Sequence, residues 1–183
     1  MIGCEDRETS YFLRMFLATS RAVDYLASRP DWDGRTLVVT GTSQGGLQAI
    51  VAAALNPKVT ALLALVPAGC DTTAPLVGRS VPWPGWGQWM PDDRKAASLR
   101  TAPYYDGINF ASRVRCPALI GYGLLDPTST PSGVHLMTRE LRGPVERVLM
   151  PAADHKGDHA AYNLRAKEWL EALQHHLLPS PHR

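Results

Sequence analysis

The chain predicts an α/β fold built on a parallel sheet, and three observations carry that prediction. Apolar runs of strand length recur at residues 36–40, 59–66, 117–125 and 145–150. Segments of helical period precede, separate and follow them, so strand and helix alternate along the chain. The run from Val59 to Val66 is continuously apolar rather than alternating, as suits a parallel strand buried on both faces. The order βαβ, an insertion, then βαβα implies about four mainly parallel strands, flanking helices and right-handed crossovers.

Length and composition bound what such a fold can be. With 183 residues the chain can build one domain with a substantial core, and residues 1–183 are read as a single domain. A hydrophobic content of 45% with 20% charged residues is that of a globular protein. A net charge of +2 without runs of like charge gives no basis for a nucleic-acid or membrane partner. Cys4, Cys70 and Cys116 are odd in number and widely spaced, which argues against a disulfide framework or a zinc ribbon and fits a reducing compartment. Glu5, Asp6, Arg7 and Glu8 interrupt any signal-peptide core at the visible start. No apolar stretch approaches the ~20 residues of a membrane helix. The visible chain is therefore expected to be cytoplasmic.

The first predicted helix covers residues 9–28. Tyr11, Phe12, Met15, Phe16, Ala22, Val23 and Leu26 largely follow i, i+3, i+4 spacing, Thr9 and Ser10 suit an N-cap, and Arg29-Pro30 ends it. Asp31-Trp32-Asp33-Gly34 is turn chemistry leading into the strand Thr36–Thr40. A tight turn over residues 41–46 and an alanine-rich helix from Leu47 to Leu55 follow, and Asn56-Pro57 breaks the chain before the second strand.

From residue 67 to 113 the periodicity lapses. Pro75, Pro82, Pro84, Pro91 and Pro103, with several glycines, exclude one long regular element, so an irregular, Pro/Trp-rich insertion is expected. Trp83, Trp86 and Trp89 within it could cover core surface or wall a substrate pocket. The third strand, Pro117–Leu125, ends at Asp126, and a helix from Val134 to Leu141 is closed by Gly143-Pro144. After the fourth strand, Val145–Met150, a loop carries His155 and leads to His159. The last helix is expected from Ala160 to Leu178.

Chemistry concentrates at Gly41-Thr42-Ser43-Gln44-Gly45. A Gly-x-Ser-x-Gly between a β-branched run and a helix has the form of a nucleophile elbow. There a serine sits on a strained turn at the strand's C-terminal edge, with the positive end of a helix behind it. A serine hydroxyl needs a base to take its proton, normally a histidine oriented by a carboxylate. Ser43 follows the first strand, Asp126 ends the third and His155 follows the fourth. That is the chain order Ser, Asp, His, with each residue at the sheet edge where ligands bind. Asp126-Pro127 alone reads as a turn initiator, and His159 rivals His155 as the base. His135, His175, His176 and His182 read as surface residues. The backbone N–H of Gln44 would be one oxyanion donor, and the second normally comes from a loop upstream of the elbow. Asp154, His155, Asp158 and His159 are residue types that also bind metals. Lys156 stands where a His-Glu-x-x-His motif needs glutamate, and Gly157 weakens the helix that would align the pair, so no metal is expected.

These residues, taken with their surroundings, resemble the acetyl xylan esterase and cephalosporin-C deacetylase family of α/β-hydrolases. The likeness runs from Tyr11-Phe12-Leu13 and Arg21-Ala22-Val23-Asp24 through Arg29-Pro30-Asp31-Trp32-Asp33-Gly34 to Ser43-Gln44-Gly45-Gly46. It continues through Tyr105-Asp106, Asn109-Phe110-Ala111, Arg113-Val114-Arg115-Cys116-Pro117 and Gly123-Leu124-Leu125-Asp126. The resemblance implies a partial α/β-hydrolase fold with Ser43 as nucleophile, Asp126 as acid and His155 as base. It further implies a cofactor-free serine esterase acting on small acyl esters, chiefly acetylated sugars, and assembly into homo-oligomers. Two positions depart from the family pattern: Ser129-Thr130-Pro131 replaces Cys-Pro-Pro after the acid, and His155-Lys156 replaces His-Glu at the base. The family's N-terminal portion, which supplies an Arg-Gly-Gln motif and a second oxyanion N–H, has no counterpart in this sequence. Two other readings fit the same residues: a peptidase of the prolyl-peptidase type, and a catalytically impaired fragment with an exposed sheet edge.

Overall fold

The computed structural model describes residues 2–88 and 90–177. Four parallel strands, β1 (Val38–Thr42), β2 (Ala61–Leu65), β3 (Ala118–Gly123) and β4 (Val145–Met150), lie side by side in chain order. The central strands β2 and β3 are buried at every position, whereas β1 and β4 alternate between covered and exposed residues. This division follows composition: Ala61-Leu-Leu-Ala-Leu65 has no polar side, and Val145-Glu-Arg-Val-Leu-Met150 does.

The described residues also form six helices: α1 (Tyr11–Ser28), α2 (Gln44–Leu55), α3 (Asp92–Thr101), α4 (Gly107–Ala111), α5 (Pro131–Glu140) and α6 (Ala160–Leu177). On one face Leu62, Ala64, Ile120 and Tyr122 pack with Ile50 of α2, Ala111 of α4, and Val134 and Met137 of α5. On the other, Leu63, Leu65, Leu119 and Met150 meet Tyr162, Ala166 and Trp169 of α6. Truncating one of these fully buried leucines to alanine costs about 2–5 kcal/mol in comparable cores. Among the described residues no helix is long and apolar enough to cross a membrane.

Three differences from the sequence expectation have physical causes. Strand β1 starts and ends two residues later than predicted, because its ladder with β2 runs on through Gly41–Ala64 and Thr42–Leu65. Helix α2 starts at Gln44 rather than Leu47, so Gly45 and Gly46 of the predicted turn lie in its first turn, while Gly41 belongs to β1. The segment 67–113 is less irregular than expected. It contains the ten-residue α3, which starts just after Pro91 with Asp92 and Asp93 in its first turn and Arg100 in its last, charges that suit the helix dipole.

The tryptophans divide. Trp86 is buried and stacks on Tyr105 with ring centroids 5.9 Å apart, and both lie against Phe12 of α1. Trp83 is half-buried edge-on against the same Phe12. They act here as core cover, joining the insertion to α1. Trp89 lies outside the described residues.

Candidate active site

Ser43 sits between β1 and α2 with φ 56° and ψ −120°, outside the regions that suit a residue with a Cβ. Such strain, of order 1–3 kcal/mol, persists only where the surroundings over-determine it. Here the Ser43 N–H donates to the Leu65 carbonyl at 2.9 Å, and the Ser43 carbonyl accepts from Ala68 N–H and Leu47 N–H, each at 3.1 Å. Glycines let the turn close. A Cβ on Gly41 would lie 2.1 Å from the Gly45 carbonyl oxygen, and one on Gly46 would lie 3.0 Å from Pro67. Any larger residue at 41 would force the strand and helix apart, and the hydroxyl with them.

Asp126 follows β3 and is buried. Its Oδ1 accepts the backbone N–H groups of Thr128 and Ser129, each at 2.8 Å, the turn that an Asp-Pro pair suggests. Its Oδ2 stands 2.8 Å from His155 Nδ1. One oxygen of Asp126 thus holds the turn and the other meets the histidine. The loops that carry Asp126 and His155 are laced together, with Leu124 N–H on the Met150 carbonyl and Leu125 N–H on the Ala153 carbonyl, each at 3.1 Å.

His155 completes a continuous chain, since its Nε2 lies 2.8 Å from Ser43 Oγ. With Nδ1 protonated toward the carboxylate, Nε2 is the free lone pair that faces the hydroxyl. Its rival His159 precedes α6 and directs Nε2 at the Asp154 carbonyl, 3.2 Å away in its own exposed loop. The structure therefore brings together Ser43, Asp126 and His155 and leaves His159 out. Gln44 opens α2, where a backbone N–H has no intrahelical acceptor. Its side-chain amide reaches Met15 of α1, so only its backbone faces the elbow's helix N-terminus. Among the described residues no group of three His, Cys, Asp or Glu side chains is arranged to hold a metal ion.

Two residues with no assigned role in the sequence also belong to this edge. Ser129 is buried and donates its hydroxyl to the Val66 carbonyl at 2.7 Å, and Val66 itself lies at φ 40°. Ser129 had one visible signal, its place in the segment that departs from Cys-Pro-Pro. Val66 had none, because a valine in an apolar run gives no hint of a left-handed backbone.

A parallel sheet with this chain order of serine, acid and histidine at its C-terminal edge defines an α/β-hydrolase. Comparison with known proteins narrows the class: the acetyl xylan esterase family model matches residues 1–173. The acetyl esterase Axe7A of Xylanibacter ruminicola is 35% identical over 153 residues, which are 84% of this chain and 35% of that protein. The chain belongs to the acetyl xylan esterase family, a family of carboxylic-ester hydrolases. Among solved structures, an acetyl xylan esterase from Paenibacillus sp. R4 superposes with a TM-score of 0.81 at 29% identity, covering 93% of this chain and 55% of that one. Acetyl xylan esterase 1 from Thermoanaerobacterium sp. superposes with a TM-score of 0.75 at 21% identity, covering 91% and 55%, a likeness of fold. The chain thus spans about a third of the curated relative's length and about half that of these structures.

Proposed function

We propose that this chain carries the reacting groups of a serine esterase that removes small acyl groups, acetyl above all, from acetylated sugars. The observation that supports the reading is the unbroken Ser43–His155–Asp126 hydrogen-bond chain, 2.8 Å at each link, on the strained elbow of an acetyl xylan esterase family member.

In this reading Ser43 Oγ attacks the ester carbonyl carbon while His155 Nε2 takes its proton. The imidazolium so formed keeps its Nδ1–H on Asp126, whose charge favours it and whose other oxygen is anchored by two amides. The Gln44 N–H donates to the oxygen that becomes negative. A donor of this kind is worth on the order of 2.7–4 kcal/mol of transition-state stabilisation. Collapse of the tetrahedral intermediate breaks the bond to the sugar oxygen, which leaves with the proton from His155. Water, deprotonated by the same nitrogen, then releases acetate and restores Ser43.

The test is hydrolysis of a short-chain nitrophenyl ester by the full chain, with Ser43→Ala as control, followed by acetylated sugars against peptide amides. Release of acetate from sugars that Ser43→Ala abolishes is the expected result. Background rates from a folded parent would overturn the catalytic reading, and a preference for amides would overturn the substrate.

A further inference from the structure

Ser129 joins two parts of the site that the Ser43–His155–Asp126 chain leaves separate. Its backbone N–H holds Asp126 Oδ1, and its hydroxyl donates to the Val66 carbonyl at 2.7 Å. Val66 lies one residue past β2 at φ 40°, where a β-branched side chain is an outlier. The two bonds that clamp the elbow flank it in sequence, Ser43 N–H on the Leu65 carbonyl and Ala68 N–H on the Ser43 carbonyl. The Val66 N–H meanwhile donates to the Gly121 carbonyl at 2.7 Å. The left-handed turn at Val66 thus aims its carbonyl at the acid loop, and the Ser129 hydroxyl receives it. Both residues are buried, so a Val66 carbonyl left without its donor would be costly.

We propose that Ser129 is a positioning residue: by holding Val66 in its left-handed conformation, its hydroxyl fixes Ser43 against His155. The inference rests on the reading of Ser43 as nucleophile. Ser129 touches none of the reacting atoms and acts through the backbone of Val66. Ser129→Ala keeps both amide donors on Asp126, so the pH dependence of the rate should match the parent's. What the variant loses is the alignment of the nucleophile. The expected signature is a lower rate at every pH with an unmoved pH midpoint. A purely structural role would lower the melting temperature and leave the rate of the folded fraction alone. Ser129→Cys retains a weak S–H donor and should restore part of the rate.

The measurement is the rate at which a fluorophosphonate phosphonylates the full chain, followed by intact mass across the range in which histidine titrates. Phosphorus bonds to Ser43 Oγ, fluoride leaves, and the hydroxyl proton passes to His155. The parent should be labelled and Ser43→Ala should not. Folded Ser129→Ala should react about tenfold to a hundredfold more slowly with the same midpoint. A parent-like rate in folded Ser129→Ala, or a loss that appears only as a shifted midpoint, would overturn the proposal. If Ser129→Ala does not fold, Ser129→Cys decides: a slowed rate with the parent's midpoint supports it, and a parent-like rate overturns it. An unlabelled parent would overturn the reading of Ser43 together with this one.

Discussion

His155 and His159 stand four residues apart in one loop region, yet their environments differ. The first bridges a buried carboxylate and a strained hydroxyl, and the second turns back on the Asp154 carbonyl. His155→Ala should therefore reduce ester hydrolysis by roughly 10⁴-fold or more, as removal of a triad histidine does, while His159→Ala stays within about threefold of the parent. Initial rates on a nitrophenyl acetate decide it, and loss confined to His159→Ala would reverse the assignment. The three candidate residues were readable because each carries a local signature: an elbow, an Asp-Pro after a strand, a histidine after the next. The preference for His155 over His159 had less to rest on, because it depends on where a loop without periodicity turns. Val66 was equally hidden, since its φ is imposed by Ser129 and Gly121, which lie 63 and 55 positions further along the chain.

Among the elements, the junction of β1 and α2 leaves the least room. Gly41→Ala would drive a methyl into the Gly45 carbonyl, whereas a Cβ on Gly45 would meet nothing within 4 Å. Gly41→Ala should destabilise the protein by about 1–3 kcal/mol as overpacking does, with activity falling alongside. Gly45→Ala should be neutral or stabilising by up to about 1 kcal/mol, because alanine is the better helix former. Thermal melts of the two variants test the contrast, and a stable Gly41→Ala would contradict the geometry. Strands and helices were largely foreseen because apolar period and turn residues agree. Helix α3 was missed because Asp92–Thr101 is mostly polar, and its neighbouring prolines read as breakers. Its outer face needs no apolar stripe, so no period marked it.

For the molecule as a whole, pH acts through carboxylates that gain partners on folding. On the outer strand β4, Glu146 pairs with Arg165 of α6, which holds its carboxyl below the usual 4.5. A lowered carboxylate stabilises the fold above its unfolded pKa, and that contribution fades as pH falls through the folded value. The melting temperature should drop as pH is taken below about 4.5, and Glu146→Gln should lose part of its stability at neutral pH while showing a shallower acid decline. A Glu146→Gln melting curve parallel to the parent's at every pH would exclude the pair as a contributor. The parallel sheet was predictable at this scale from continuous apolar runs alone. The plain strand order β1-β2-β3-β4 was not, because alternation of strand and helix does not dictate which strands are neighbours. That order has a temporal meaning. Read in the direction of synthesis, the serine emerges first, its carboxylate after two more strands, and the histidine only when β4 has been made. A nascent chain holds Ser43 for more than a hundred residues before His155 arrives, so the candidate site can be complete only once β4 and the loop after it have been made.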